Sequence, residues 1–341
     1  LSSIYASTGK TEEALDALDQ WCESAPDSPV ALLYRARFLR SLGKYEEGDA
    51  DFDRVLEMPD QRSFALRDRS ERYWSERRYD QHFADLRELA QDPGYRIWAL
   101  DELAGHGPQI GRFEIGRDAL ESLIEMNEGD AYAHFRLLYL LHVLDDGEAY
   151  RNVRQRALEL FEGTSGRFAA GKIGMVSLLR EVDEQILRRV ERLMRPVFEA
   201  RPGSSSFGAM RITRGWLRFH QAQSAMARGD EYSSNELFER SLVQLSKARG
   251  LSLSAEWVVI RDSLAATVLH GLGRSAAANR AFANATRVLG ELPEPAQVLS
   301  TRWIDELWAR RQYEAAGRLI HGAGFQDLVQ AQRDVSFGRF T

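Results

Sequence analysis

Between residues 29 and 60 the apolar positions fall into two short helical stripes. Leu32, Ala36 and Leu39 share one face at the i, i+4, i+7 spacing, and Tyr45, Phe52, Val55 and Leu56 form a matching stripe further on. Leu42-Gly43-Lys44 separates them, and Gly43 can take the positive φ that ends a helix. Ser28 before Pro29 is a start signal, because serine caps the first turn and proline suits its first position. The pattern predicts a helix–turn–helix pair. A pair this short cannot bury both of its faces alone, so it implies neighbours.

Those neighbours lie at one fixed interval in each direction. Gly43 maps to Gly9 upstream, and to Arg77 and Gly111 downstream; Tyr45 maps to Tyr79 and Phe113. The close-packing position Gly48 maps to Ala14, His82 and Gly116, and Phe52 maps to Leu18, Leu86 and Leu120. A small residue recurs inside the first helix as Ala36, Ser70 and Ala104, and a proline after the second as Pro26, Pro59 and Pro93. This spacing and pattern resemble the tetratricopeptide repeat (TPR) family. Arg77 for the turn glycine and His82 for the packing alanine are departures that make the third repeat the least ideal of the early ones. The resemblance implies an all-α fold, a right-handed superhelical solenoid of about eight antiparallel helix pairs. It also implies a concave groove lined by first helices that takes peptides or protein segments, with no catalysis and no cofactor. The family's carboxylate clamp for chain termini, built on Lys and Asn, is not matched.

The later chain is less regular. The fifth repeat opens with Tyr132, Phe135, Leu138 and Leu141, and its turn, Asp145-Asp146-Gly147, is expected to carry about three extra residues before a second helix over 150–161. Glu162-Gly163-Thr164-Ser165-Gly166 reads as a flexible joint. The expected organisation is therefore regular repeats over 1–162 with the first incomplete, longer and less regular repeats with a cap over 163–321, and a polar tail over 322–341. A sixth pair is expected over 167–180 and 183–200, ending at Arg201-Pro202-Gly203, and a seventh over 207–228 and 232–249, separated by Gly229-Asp230. The eighth returns to pattern with Ala266, Leu269, Gly273, Ala278, Phe282 and Ala285; Pro293 and Pro295 then break the chain. A last short pair with Trp303, Leu307, Tyr313, Ala316 and Ile320 reads as the cap.

This later half also resembles the TPR tails of large bacterial proteins, in which the array follows a Ser/Thr kinase or sigma-factor domain. The pieces that carry this are residues 150–161, Leu272-Gly273-Arg274, and Trp303 with Arg311-Gln312-Tyr313-Glu314-Ala315. Residues 1–5 read as the second half of a helix, so the chain is expected to be a fragment of something longer. Two functions follow as expectations: a non-enzymatic interaction scaffold, or a regulatory region of a larger enzyme whose catalytic domain lies elsewhere. Neither a His-Arg-Asp nor an Asp-Phe-Gly triplet of a kinase occurs in these residues.

Composition narrows the partners. At 44% apolar and 28% charged the chain is an ordinary globular one, and no apolar run approaches the ~18 residues that span a bilayer. The single cysteine, Cys22, excludes an internal disulfide and fits a reducing, cytoplasmic setting; its place on a second helix suggests a packed thiol. A formal charge of −6 weighs against nucleic acid as the main ligand. Of 45 basic residues only Lys10, Lys44, Lys172 and Lys247 are lysines, a bias best read as codon preference. The oligomeric state is left open.

Candidate chemistry is sparse. Residues 166–172 match the G-x-x-x-x-G-K phosphate-loop spacing, but Ile173 stands where a magnesium-holding Ser/Thr is needed and no apolar strand precedes them, so a helix start is expected. Gly105-His106-Gly107-Pro108 reads as a distorted inter-helix segment, and the sequon at Asn284 falls in a packed helix. His134 and His142 are two helical turns apart without a third partner, so no metal is expected. The groove is the remaining surface. By helical phase it is expected to present Arg37, Arg40, Arg67, Glu71, Trp74, Trp98, Asp101, Tyr132, Arg136 and Tyr139, with Arg67 and Arg136 unneeded by the core. Trp74 and Trp98 serve equally well as seals between repeats. Residues 180–218 carry nine arginines against five acids, either a solvated helix face or a binding patch for an acidic partner or nucleic acid.

Overall fold

The computed structural model describes residues 11–199, 207–249, 251, 253–292 and 303–322; the expectations for residues 1–5, Gly9, residues 201–203, Pro293, Pro295 and the tail beyond Gly322 lie outside them. Among the described residues there is no strand. Sixteen helices follow one another: α1 (Thr11–Ser24), then the pairs α2 (Pro29–Ser41) and α3 (Tyr45–Leu56), α4 (Arg62–Ser75) and α5 (Tyr79–Leu89), α6 (Arg96–Gln109) and α7 (Phe113–Met126), and α8 (Ala131–Val143) and α9 (Gly147–Phe161). They continue as α10 (Arg167–Val176) and α11 (Glu184–Phe198), α12 (Phe207–Ala227) and α13 (Glu231–Arg249), α14 (Ala255–Gly271) and α15 (Ser275–Glu291), and close with α16 (Trp303–His321). This is an all-α array of TPR-like helix pairs. The chain packs as two compact units, residues 1–103 and 104–341.

The sequence period is real structure. Leu18, Phe52, Leu86 and Leu120 are all buried, as are Ala36, Ser70 and Ala104. Ser28 caps α2 through its hydroxyl, which accepts from the Ala31 N–H. Gly43, Arg77, Gly111 and Asp145 all carry φ between 60° and 79° at the turn between helices. The last of these corrects the expectation for the fifth repeat: its turn gains no residues, because Asp145 sits one period after Gly111 and takes the left-handed conformation itself. Aspartate tolerates that conformation through its short polar side chain, so glycine is not required. The period lapses later. First helices begin at Pro29, Arg62, Arg96 and Ala131 with nearly even spacing, and the interval then widens through Arg167, Phe207 and Ala255 to Trp303.

In the first unit, consecutive repeats are joined by a charged clamp. Arg35 on α2 donates twice to Asp51 on α3, at 2.7 Å each, and once to Asp19 on α1 at 3.0 Å. One period on, Arg69 on α4 donates twice to Asp85 on α5 at 3.0 and 2.8 Å and lies 3.9 Å from Asp53 on α3. Asp51 and Asp85 are buried, and the forked geometry makes these pairs directional. His82 fills its packing position by donating from Nδ1 to the Ser70 carbonyl at 2.8 Å. Cys22 is a packed thiol, and burial raises its pKa.

The second unit is joined through rings and close backbone contact. Gly105-His106-Gly107-Pro108 lies inside α6, a correction to the inter-helix reading. The proline sits in the last turn, where it ends the helix, and its ring packs so closely on Gly116 of α7 that a Cβ there would lie 2.6 Å from Pro108 Cγ. Residues 166–172 are a helix start, with Gly166 as the N-cap of α10 and Gly171 within the helix. Residues 303–321 form one helix instead of a short pair; they contain no proline, and Gly317 is accommodated without a break.

Candidate protein-binding faces

The first helices of the first unit, α2, α4 and residues 96–103 of α6, are bridged side to side by two arginines. Arg37 of α2 donates through Nε to Asp68 of α4 at 2.9 Å, and this bond raises the arginine's pKa. Arg67 of α4 pairs with Glu71 at 3.2 Å and lies with its guanidinium 4.9 Å from the centre of the Trp98 ring on α6. Arg37, Arg67, Glu71 and Asp101 are exposed, so four of the sequence-derived candidates stand on one reachable surface. Trp98 is half-buried. Trp74 turns instead to its own repeat, with ring centroids 5.2 Å from Tyr79 and 5.1 Å from His82.

Arg40 is only 8% exposed, which corrects its placement in the groove. Its stem crosses Gly48, where a Cβ would lie 2.6 Å from Arg40 Cγ, and its guanidinium is held by Asp49 and Glu76. The missing side chain at Gly48 draws the arginine inward. What sequence reasoning missed on this face is apolar: Val30, Phe64 and Ile97, 46%, 41% and 64% exposed, open successive first helices. The signal was present for two of them, since Val30 and Phe64 are in phase with Trp98 and Tyr132, whereas Ile97 stands one residue out of phase.

In the second unit the middle of α8 is covered. Arg136 is 5% and Tyr139 1% exposed, so Arg136 belongs to the core, contrary to expectation. The Arg136 guanidinium lies 5.4 Å from the Tyr132 ring and against Gly105, which leaves room for it. Tyr139 is covered by α16: burial, followed by the nearby Asp305, drives its pKa well up. Tyr132 remains exposed at the edge, 6.1 Å from Phe135 and 6.3 Å from Phe168. Lys172 lies 4.2 Å over the Phe135 ring; burial lowers its pKa and Asp305 opposes the shift.

Deeper in the same face, Trp308 of α16 lies between Trp216 of α12, stacked at 5.3 Å, and Trp257 of α14, edge-on at 5.0 Å. Burial lowers His220 and His142 to about 4, and Arg180 and Arg311 push His142 the same way. Tyr313 stacks on Phe282 of α15 at 4.8 Å and lies 3.1 Å from the Thr286 hydroxyl.

The arginine-rich stretch is largely paired within the protein. Arg180 donates to Asp145, Arg189 and Arg192 to Glu162, and Arg188 to Glu184, while Arg218 lies 3.1 Å from Glu191. Asn284 donates to the buried Asp262, which also receives both arms of Arg261. Among the described residues no cluster of three His, Cys, Asp or Glu side chains could hold a metal ion, and no helix is long and apolar enough to cross a membrane.

No family model matches the sequence, and no curated protein matches it. Among solved structures it is similar to a tetratricopeptide repeat protein from Parabacteroides merdae ATCC 43184, at 14% identity and a TM-score of 0.34 over 79% of this chain and 96% of that one. It is also similar to the P58(IPK) TPR domain, at 16% identity and a TM-score of 0.26 over 99% and 97%.

Proposed function

We propose that the chain is a non-enzymatic protein–protein interaction scaffold that binds a peptide or protein segment along the first-helix face of residues 29–103. The observation that carries this reading is the exposed row on α2, α4 and α6: apolar Val30, Phe64 and Ile97 interleaved with Arg37, Arg67, Glu71 and Asp101. Large apolar side chains beside arginine are the composition of interface anchors. The second helices of the same unit expose Trp21 of α1 and Tyr45 of α3. The ligand therefore brings apolar anchors.

The test is a peptide-display selection against the full chain, followed by affinity measurement on Phe64→Ala and Arg67→Ala. Each is expected to weaken the selected ligands roughly thirtyfold, the effect of losing a ~2 kcal/mol anchor, while thermal unfolding stays unchanged. Full affinity in both variants would sink the assignment of this face.

A further inference from the structure

We propose that the first-helix face of the second unit, completed by Phe282 of α15, is a helix-docking site occupied in cis by α16, and that it accepts in trans a helix bearing the same stripe: tryptophan, an adjoining alanine, and tyrosine five positions on.

Three observations carry this. First, α16 reaches far beyond its neighbours in the array. Arg311 Nη2 donates to the Val143 carbonyl on α8 at 3.1 Å, Asp305 acts electrostatically on Tyr139 of α8 and Lys172 of α10, and Trp308 packs between α12 and α14. A helix that merely continued a repeat array would contact the adjoining repeat alone. α16 packs on α14 and α15 of the adjoining pair and reaches, in addition, the first helices α8 and α12 of earlier pairs.

Second, α16 is buried along one stripe, whereas the helix beneath it is buried all round. Trp308, Ala309, Tyr313 and Ala316 are buried, but Arg311, Ala315, Arg318 and Leu319 are exposed. In α14 every residue from Val259 to Ala266 is buried. One apolar stripe laid into a groove is how an amphipathic helix docks on a preformed surface. α14 is core and α16 is a guest.

Third, the guest fits imperfectly. Trp308 Nε1 is buried with no hydrogen-bond partner. An unmade indole N–H weakens the seat, while the ring remains the kind of anchor that dominates helix-in-groove binding. Tethering offsets the deficit, because a covalently linked helix has an effective concentration on the order of millimolar. A trans helix must compete with that, so the intact chain binds it weakly.

The experiment uses the full chain with a site-specific protease recognition sequence replacing residues 294–300, and a fluorescein-labelled peptide of residues 303–321 as probe. Before cleavage the probe is expected to bind at least ~100-fold more weakly than after cleavage and exchange, reflecting removal of the tether. A probe carrying Trp308→Ala should bind the cut protein at least roughly thirtyfold more weakly than the unaltered peptide. The uncut chain with Trp308→Ala should bind the unaltered probe nearly as well as the cut protein. Dimers formed by mutual exchange of α16 would support the site equally, since the same seat is then filled in trans. Three results overturn it: cooperative unfolding of residues 104–292 once α16 leaves, failure of the probe to exchange, or equal binding of the Trp308→Ala probe. Phe64 and Arg67 are unaltered throughout, so this outcome is separate from that for the first unit.

Discussion

In residues 1–103 an arginine on each of α2 and α4 grips a buried aspartate one helix on, and the grip recurs after one period; in residues 104–341 the same two positions hold Leu137 and Val153, and rings take over. The two solutions differ in what they tolerate. A forked arginine–carboxylate pair is directional and works only if the repeat keeps its register. Apolar contact is non-directional, so helices can lengthen without losing it. First helices accordingly keep close to the period where the clamp operates, starting at Pro29, Arg62 and Arg96. They start much farther apart, at Phe207, Ala255 and Trp303, where Trp216, Trp257 and Trp308 meet. The clamp also leaves the first-helix face open, with charged residues set between Val30, Phe64 and Ile97. The aromatic join leaves a face apolar enough that the chain covers it with α16.

The largest expected contrast is with acid. His142 and His220, both in the second unit, have folded-state pKa values lowered to about 4, below the ~6.5 of an unfolded histidine. The unfolded chain therefore takes up protons first, and stability rises with pH across this window: it is fully present above about 6.5 and is lost as pH falls toward 4. Each group is expected to contribute on the order of 2 kcal/mol. The first unit holds one histidine of the same sign, His82. Hydrogen exchange read peptide by peptide at pH 7 and pH 4.5 should show residues 104–322 losing protection first. Earlier loss in residues 11–103 would reverse the comparison.

Next in size is the clamp. Asp51→Ala and Asp85→Ala each strand a partly buried arginine and should cost about 2 kcal/mol, seen as a lower denaturation midpoint for the first unit alone. An effect below ~0.5 kcal/mol for both would show that apolar contact holds these repeats as well.

A third contrast sets two arginines against each other. Arg136→Ala should destabilise the second unit by about 1–2 kcal/mol, because its stem and guanidinium are packed. Arg67→Ala should stay within about 0.5 kcal/mol in thermal unfolding. Equal effects would mean that the two faces are equally open.

The sequence made the period legible because it is written in small and large residues at fixed offsets: Ala36 and Ser70, Phe52 and Leu86. The clamp was equally periodic, at Arg35 and Arg69 and at Asp51 and Asp85, but charged residues on helices ordinarily read as solvated surface. Asp145 was in phase yet read as an insertion, since the left-handed position is sought through glycine. The fate of Arg136 and Tyr139 lay outside local pattern altogether. Tyr139 is buried by α16, whose Arg311 meets the far-distant Val143, and no periodicity encodes such a return. The exposed Arg37, Arg67, Glu71 and Asp101 were thus legible from helical phase, whereas the burial of Arg136 and Tyr139 required tertiary structure.

The smallest contrast concerns one backbone position. Arg77 and Asp145 occupy the turn site that Gly43 and Gly111 fill in neighbouring repeats, each at φ +60°. A left-handed conformation costs an ordinary side chain roughly 1–2 kcal/mol, whereas glycine adopts it freely and loses about 0.4–1 kcal/mol of that advantage through the entropy of the unfolded chain. Arg77→Gly should therefore stabilise the first unit by about 0.5–1 kcal/mol. Asp145→Gly should not match it. The conformation costs aspartate less, and the substitution also removes the 2.6 Å contact with Arg180, an exposed pair worth up to ~0.5 kcal/mol. The net effect there is expected to be near zero or slightly negative. Chemical denaturation followed at each unit separately can resolve the difference. If Arg77→Gly lowers the midpoint, or if both substitutions raise it equally, then residue identity at this turn does not distinguish the units.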